Sequence, residues 1–169
     1  LCPPASSLLN AAEPPALTLL MPAGGQIGTT VEVAATGKFP TWPLQVWCDS
    51  PDIHWKCLAD AGKFQATIAG SATPGLHWVR MFDAAGATAV RPFLIDMVTV
   101  RTETEPNNRA NETNAMGNLP TAVFGVLNKN ADVDLYSVER TEHQWLVATV
   151  DADKWLGSPA DVTLQILDS

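Results

Sequence analysis

The segment Thr29-Thr30-Val31-Glu32-Val33-Ala34 decides the fold class, because apolar and polar side chains alternate along it. Val31 and Val33 fall on one side of an extended chain, whereas Thr30 and Glu32 fall on the other. A period of two residues is typical of a β-strand that buries one face and exposes the other. The segment therefore predicts a strand of a half-solvated sheet.

Short apolar runs of the same kind recur on both sides of this segment and end at turn-forming residues. Pro22-Ala23-Gly24-Gly25 and Asp83-Ala84-Ala85-Gly86 are the clearest breaks. No segment has a sustained helical period. About seven strands within roughly 80 residues are typical of an immunoglobulin-like sandwich. The predicted strands cover 17–21, 29–34, 44–48, 53–57, 64–69, 76–82 and 87–95.

The pattern is interrupted at Glu105-Pro106-Asn107-Asn108, and a polar stretch follows as far as Asn118. Strands are predicted again at 122–127, 135–139, 145–151 and 162–167. We place a domain boundary at the interruption, because linkers are polar and rich in turn residues. The predicted fold is all-β, with two tandem β-sandwich domains. Residues 16–100 form an immunoglobulin-like sandwich and residues 101–169 the start of a second one.

Composition and charge exclude several classes of function. The chain has 46% hydrophobic residues, enough for packed cores, and a formal net charge of −8 from 10 basic and 18 acidic residues. Nucleic-acid binding is not expected, because phosphate contacts require clustered Lys and Arg. No run of about 18 apolar residues is present, so no membrane span is predicted.

The N-terminal residues 1–15 are read as the remnant of a signal peptide or as a disordered tail. Apolar and small residues precede Ala11-Ala12, and Glu13-Pro14-Pro15 follows. We therefore expect a protein that is secreted, periplasmic or on the cell surface.

Three cysteines are present: Cys2, Cys48 and Cys57. A disulfide bridge between Cys48 and Cys57 is our interpretation. Two buried free thiols are the alternative, because a regular hairpin over 49–52 places Cys57 opposite Leu44 and Cys48 opposite Ile53. The two sulfur atoms would then lie roughly 13 Å apart along the ladder, whereas a disulfide needs Cα atoms within about 7 Å.

Two stretches of the first half resemble a known class of modules. Pro22-Ala23-Gly24-Gly25-Gln26-Ile27-Gly28-Thr29 and Pro74-Gly75-Leu76-His77-Trp78-Val79-Arg80 resemble immunoglobulin-like modules of planctomycete-type secreted proteins, which are similar to the IPT/TIG class. The resemblance implies a sandwich that acts as a rigid spacer.

The second half resembles a bacterial pre-peptidase C-terminal (PPC) domain. Its motifs occur in the order typical of that family, with Ala131 where the family has a glycine before Asp-x-Asp-x-Tyr. The chain covers only about the first two thirds of such a domain. The motifs are Glu105-Pro106-Asn107-Asn108, Leu119-Pro120, Asp132-Val133-Asp134-Leu135-Tyr136 and Leu156-Gly157-Ser158-Pro159-Ala160-Asp161.

A calcium site is the leading candidate for chemistry. Glu103, Glu105 and Asn107 alternate, so they point to one side of an extended chain, and Asp132 and Asp134 alternate likewise. Calcium prefers six to eight oxygen ligands of these types. The PPC resemblance implies the same residues as ligands, with Asn108 and Asp134 less clearly matched. The alternative is that these side chains only cap turns or are solvated.

Six tryptophans offer a second kind of site. Trp55 alternates in phase with Ile53 and Cys57, which predicts core packing. Trp47 and Trp78 are out of phase with their apolar neighbours and predict a two-tryptophan patch on one face of the sandwich. Trp42 and Trp155 fall in predicted loops. We take Trp42, Trp47, Trp78 and Trp155 as candidate ligand-binding residues, with core or interdomain packing as the alternative.

Catalysis is not expected. His54, His77 and His143 each fall within an apparent strand, and no Gly-x-Ser-x-Gly motif is present. The sequence favours a non-catalytic accessory segment of a larger exported protein that binds an extracellular protein, a polysaccharide or other domains of its parent chain. The alternatives are a carbohydrate-binding module attached to an extracellular hydrolase and a fragment of a hydrolase itself.

Overall fold

A computed structural model describes residues 12–167, apart from the side chain of Lys154. Within this range the chain is all-β except for one helix of four residues, so the predicted fold class is confirmed. The elements in chain order are β1 (Ala16–Met21), β2 (Gly24–Gln26), β3 (Thr30–Lys38), β4 (Gln45–Cys48), β5 (Ile53–Cys57), β6 (Lys63–Ile68), β7 (Gly75–Asp83), β8 (Gly86–Ala87), β9 (Arg91–Asp96), β10 (Thr99–Thr102), β11 (Asn114–Ala115), β12 (Thr121–Phe124), β13 (Tyr136–Ser137) and α1 (Asp153–Leu156).

Two sheets form the sandwich. The first has the order β1-β3-β6-β5 and is antiparallel throughout. The second has the order β2-β9-β7-β4, with β8 paired to β7, and its β2 runs parallel to β9. The chain changes sheet between β1 and β2, so the first eleven residues of the sandwich contribute an edge strand to each sheet.

The core lies between the inner faces of the two sheets. Alternation buries Phe64, Ala66 and Ile68 on β6, and Val79 and Met81 on β7. Each buried side chain contributes apolar area of the kind that drives folding. The next residues along these strands point outward.

Aromatic rings fill the centre of this core. The ring of Phe64 lies 5.1 Å from Trp42 and 6.3 Å from Trp55, and Trp55 lies 4.8 Å from Phe93, with the ring edges meeting the faces. Such edge-to-face pairs add to the hydrophobic contribution of each ring. The predicted core role of Trp55 is confirmed.

The predicted strands of the first half correspond to β1, β3 to β7 and β9, and the prediction for 53–57 coincides with β5. Strand β2 was missed, because Gly24-Gly25 was interpreted as a turn. These glycines are in fact needed inside the sheet. A Cβ atom on Gly24 would lie 2.1 Å from the backbone oxygen of Leu94, so only glycine allows this approach of β2 to β9.

The second half has a looser architecture than predicted. Strand β10 pairs with β12, and β11 pairs with β13, both in parallel. The strands predicted at 145–151 and 162–167 are not formed in the described chain. Their alternating side chains favour an extended backbone, but a strand also needs a neighbouring edge to pair its amides, and no described strand pairs with them.

The second half contacts the sandwich at several places, one of them between β10 and β2. Phe124 at the end of β12 is buried, and its ring lies so close to Gly24 that a Cβ atom there would be 2.6 Å away. The helix α1 lies beside β9. The domain boundary at 100/101 stays a prediction, and all strands of the sandwich lie between Ala16 and Asp96.

The predicted disulfide between Cys48 and Cys57 is wrong, because both residues are free thiols. Cys48 ends β4 in one sheet, whereas Cys57 ends β5 in the other. The Sγ atom of Cys57 donates to the backbone oxygen of Leu44 at 3.1 Å, but the expected regular hairpin over 49–52 is not formed, because β4 pairs with β7 and β5 pairs with β6. The two cysteines therefore lie on strands of different sheets, and burial raises the pKa of both thiols.

The N-terminal prediction lies mostly on residues 1–11, which are outside the described residues. Of the remainder, Glu13 forms an exposed ion pair with Lys38 at 2.6 Å. Among the residues that the structure describes, no helix is long and apolar enough to cross a membrane.

Replacing Phe64 by alanine should destabilise the sandwich strongly. Phe64 is fully buried between Trp42 and Trp55, so Phe64→Ala leaves a cavity and should lower the free energy of unfolding by about 3–5 kcal/mol. Leu19→Ala, at an outward position of β1 that is 39% exposed, should cost less than about 1 kcal/mol. Urea denaturation of both variants checks this, and equal losses would contradict the assignment of the core.

Candidate functional site

Side chains from two distant segments converge beyond the end of β10. We call Glu103, Glu105, Asn107, Asp132 and Asp134 the acidic cluster. Carboxylate oxygens of Glu105, Asp132 and Asp134 all lie within 4.8 Å of one another. The side-chain amide of Asn107 lies within hydrogen-bond distance of Glu103, Glu105 and Asp134, so the five residues predicted as a set lie together.

Glu103 is fixed by the end of the β10–β12 pair. Its backbone amide donates to the Phe124 oxygen at 3.0 Å, which extends the ladder by one residue. One carboxylate oxygen accepts a short hydrogen bond from the Val126 amide, and the other accepts from the Tyr136 hydroxyl at 2.9 Å. A Cβ atom on Gly125 would lie 2.4 Å from this carboxylate, so glycine at 125 makes room for it.

Asn107 lies at the centre of the cluster and is fully buried. Its backbone oxygen accepts from the Leu135 amide at 2.9 Å, which fixes the 103–107 segment beside Asp134. Its own backbone amide donates to Glu105 Oε2 at 3.0 Å. The side-chain amide of a buried asparagine needs hydrogen-bond partners. The carboxylates around Asn107 therefore have to lie where this amide can reach them.

The loop before β13 supplies the aspartates. The backbone amide of Asn128 donates to Asp132 Oδ2 at 2.8 Å, and the side-chain amide of Asn128 donates to Glu105 Oε1 at 2.7 Å. Lys129 forms an ion pair of 3.5 Å with the buried carboxylate of Asp132. Asn128 thus connects the loop to the segment that carries Glu105.

The side-chain amides of Asn107 and Asn108 each face acidic oxygens. With the nitrogen turned inward, Asn107 donates to Glu105 Oε2 at 2.9 Å and to Asp134 Oδ1 at 3.1 Å. Asn108 donates in the same way to Asp132 Oδ1 at 2.9 Å. Turning either amide by 180° puts its oxygen in the same place, among oxygens only. With the nitrogens inward, the amides donate hydrogen bonds to the carboxylates of a cluster that holds no cation. With the oxygens inward, the amides offer oxygen ligands to a cation.

Like charges raise pKa values within the cluster. The pKa of Asp134 is raised from 3.8 to about 6. Burial is the largest cause, the negative charges of Glu103, Asp132 and Glu105 add to it, and the positive charge of Lys129 opposes it. Burial, followed by the hydrogen bond to Glu103, also raises the pKa of Tyr136. Among the described residues, Lys129 is the ammonium group that pairs with these four carboxylates, so the cluster carries excess negative charge.

The donor set of the acidic cluster fits a hard divalent cation. All candidate donors are carboxylate or amide oxygens, the type that calcium and magnesium prefer, and no sulfur or imidazole is among them. Glu103, Glu105, Asn107, Asp132 and Asp134 would hold such an ion.

Sequence reasoning missed the residues that support this cluster. Two of them donate hydrogen bonds, Asn128 to Glu105 and Tyr136 to Glu103. The third, Gly125, leaves room for the Glu103 carboxylate. The tyrosine of the Asp-x-Asp-x-Tyr motif was the available signal, because it follows the second aspartate by two residues. Nothing in the sequence marked Gly125 or Asn128.

The four candidate tryptophans lie in different surroundings. Trp47 on β4 and Trp78 on β7 point outward and are 46% and 42% exposed, so the predicted two-tryptophan patch is present on the outer face of the second sheet. Trp42 is packed against Phe64, and its indole nitrogen donates to the Leu58 oxygen at 2.9 Å. Trp42 is half-buried against the core, and its ligand-binding role stays a prediction. Trp155 lies in α1.

Comparison with known proteins identifies no family. No protein-family model and no curated protein matches the chain. A γ-cyclodextrin glucanotransferase (γ-CGTase) from alkalophilic Bacillus clarkii aligns with a TM-score of 0.38 at 15% identity, over 58% of this chain and 16% of that one. A chimeric titin Z1Z2 carrying a decorin peptide aligns with a TM-score of 0.28 at 16% identity, over 50% of this chain and 89% of that one.

Without divalent cations, the stability should fall as the pH rises through the titration of Asp134. Its folded pKa of about 6 lies above the ordinary 3.8, so the folded chain holds this proton more tightly between those values. The contribution is present below about pH 4 and is lost as pH rises through about 6. Asp134→Asn should remove this fall and raise the melting temperature at pH 7 in chelator.

The control is Asp161→Asn, which changes an exposed aspartate outside the cluster. Melting curves at pH 4.5 and pH 7 compare both variants with the original chain. An unchanged pH dependence in Asp134→Asn would contradict the like-charge description of the cluster.

Proposed function

We propose that this chain is a non-catalytic accessory segment of a larger exported cell-envelope protein, with the acidic cluster as a calcium site. The sandwich serves as a spacer, and the segment that follows it serves in binding. The convergence of Glu103, Glu105, Asn107, Asp132 and Asp134 carries the proposal, because residues up to 31 positions apart in sequence meet there.

Three properties of the cluster support calcium. The donors are all oxygens, the central Asn107 is fully buried, and the negative charge exceeds the positive charge nearby. A bound divalent cation would offset the negative charge of the four carboxylates, which Lys129 alone does not balance. Burial of Asn107 and Asp132 orders the donors in advance, which lowers the entropic cost of binding.

The position of the cluster supports a role in interdomain geometry. Glu103 directly follows β10, which lies beside β2 of the sandwich, whereas Asp132 and Asp134 belong to the loop before β13. A cation bound by Glu103, Asp132 and Asp134 together would fix the 126–134 loop to the segment that follows β10. Calcium would therefore stiffen the connection between the spacer and the binding segment.

The surroundings of the histidines support a non-catalytic role. His77 places Nδ1 3.1 Å from Asp49 and Nε2 2.8 Å from the Thr73 oxygen, so neither ring nitrogen is left to act on a nucleophile. His143 is 89% exposed and lies near Glu142. An extracellular location and a protein or polysaccharide partner belong to the same proposal, supported by the signal-like residues 1–15 and by the net charge of −8.

Calcium should raise the melting temperature of chelator-treated protein and release or absorb heat in a calorimetric titration. At a calcium concentration 100 times the Kd, the expected stabilisation is about 2.7 kcal/mol. Glu105→Gln removes a charge within the cluster and should weaken binding by about tenfold or more, because hydrogen-bonded carboxylates are the main ligands.

The matched control is Glu142→Gln, which changes a glutamate that is 87% exposed and outside the cluster. It should bind calcium as the original chain does. Absence of heat and of any rise in melting temperature at millimolar calcium would contradict the proposal, as would equal weakening in both variants.

A further inference from the structure

The outer face of the second sheet carries a cation between two exposed indoles. Val79 and Met81 of β7 are fully buried, so Trp78, Arg80 and Phe82 point away from the core. Trp47 of β4 stands directly opposite Arg80 in the antiparallel register. Trp47 and Trp78 are then diagonal neighbours, roughly 7–8 Å apart. We call Trp47, Trp78 and Arg80 the tryptophan face.

Arg80 has no partner in the described part of the chain. No ion pair or hydrogen bond joins it to a described residue, and its Nε atom is shielded from solvent without an acceptor. Buried polar groups in folded proteins are almost always paired, and an unpaired charged donor is costly. The Nη groups of Arg80 are not shielded in this way and have no described partner, so they remain available to an external acceptor.

The groove beside Arg80 does not supply that acceptor. It has a volume of about 640 Å3 and is lined by Trp47, Phe82, Asp83 and Val90 as well as Arg80. The carboxylate of Asp83 already accepts hydrogen bonds from the Thr41 hydroxyl and from the amides of Ala85 and Gly86. No hydrogen bond or ion pair joins Asp83 to Arg80 in the described part of the chain, so Asp83 does not act as the partner of this guanidinium group.

We propose that the tryptophan face binds a uronic-acid residue of an extracellular polysaccharide. The guanidinium group would take the sugar carboxylate in a bidentate pair, and the indoles would pack against the apolar faces of adjacent sugar rings. Charge complementarity selects an acidic sugar, because a neutral sugar would leave the charge of Arg80 unpaired. The sandwich then has a binding role of its own, in addition to the spacer role proposed above, at a site that needs no calcium.

Two other occupants fit this face less well. A second copy of the chain, docked through the same patch, would bring two Arg80 guanidinium groups together, because such an interface repeats each residue around a two-fold axis. An acidic peptide could supply a carboxylate, but it has no rigid ring whose apolar face could pack against the two indoles. Both occupants are outcomes of the experiment.

The test is a calorimetric titration of the full chain in chelator with a tetramer of galacturonic acid. Its methyl ester is the neutral control, and tetraglutamate is the peptide control. We expect saturable binding of the acid alone, weakened about tenfold or more by Trp47→Ala or by Arg80→Met. Arg80→Lys keeps the charge but loses the bidentate geometry, so it should bind with intermediate affinity.

Trp145→Ala is the matched control, because Trp145 is 97% exposed and lies outside this face. It should bind as the original chain does, and melting curves verify that every variant is folded. The proposal is overturned by no binding of the acid, by equal affinity for the ester or for tetraglutamate, or by equal loss in Trp145→Ala. A dimer that Trp47→Ala dissociates also overturns it. Because chelator is present, failure here leaves the calcium proposal standing, and the reverse holds too.

Discussion

The structure depends on one constraint: each strand of the sandwich has to send alternate side chains into a single shared core. Phe64 and Phe93, from opposite sheets, meet there with Trp55 between them. Because these positions are fixed inward, the residues next to them in sequence are fixed outward. The outward exposure of Trp47 and Trp78 is a consequence of burying Val79 and Met81, and it needs no separate explanation.

Close backbone approach is the second constraint, and it explains where the sequence misleads. Gly24 permits β2 to lie against Leu94, and Gly125 permits the backbone to pass the Glu103 carboxylate. In the sequence, Gly24 looks like a residue of a turn, whereas Gly125 falls inside a predicted strand. Their role depends on what lies opposite them, which is known only after the chain has folded.

The predictability of each feature follows from the range of the interaction that produces it. Strand β5 was predicted to the residue, because alternation and turns are local signals. The convergence of Glu103 and Glu105 with Asp132 and Asp134 depended on motif order as well as on alternation. The supporting hydrogen bond from Asn128 to Glu105 and the unpaired state of Arg80 depend on distant neighbours, so no local pattern encodes them. The free thiols show the same limit, because the predicted hairpin over 49–52 argued against a bridge but β4 and β5 belong to different sheets, which no local pattern indicates.

The two candidate sites are joined by the order of strands in the second sheet. Strand β10, which precedes Glu103, lies beside β2, and β2 pairs with β9, which pairs with β7. Phe124, from the strand paired to β10, packs against Gly24 of β2. The acidic cluster therefore begins at one edge of the sheet whose outer surface carries Trp78 and Arg80. A cation that orders the segment after β10 would fix the orientation of whatever follows relative to the tryptophan face, while leaving the face itself unchanged.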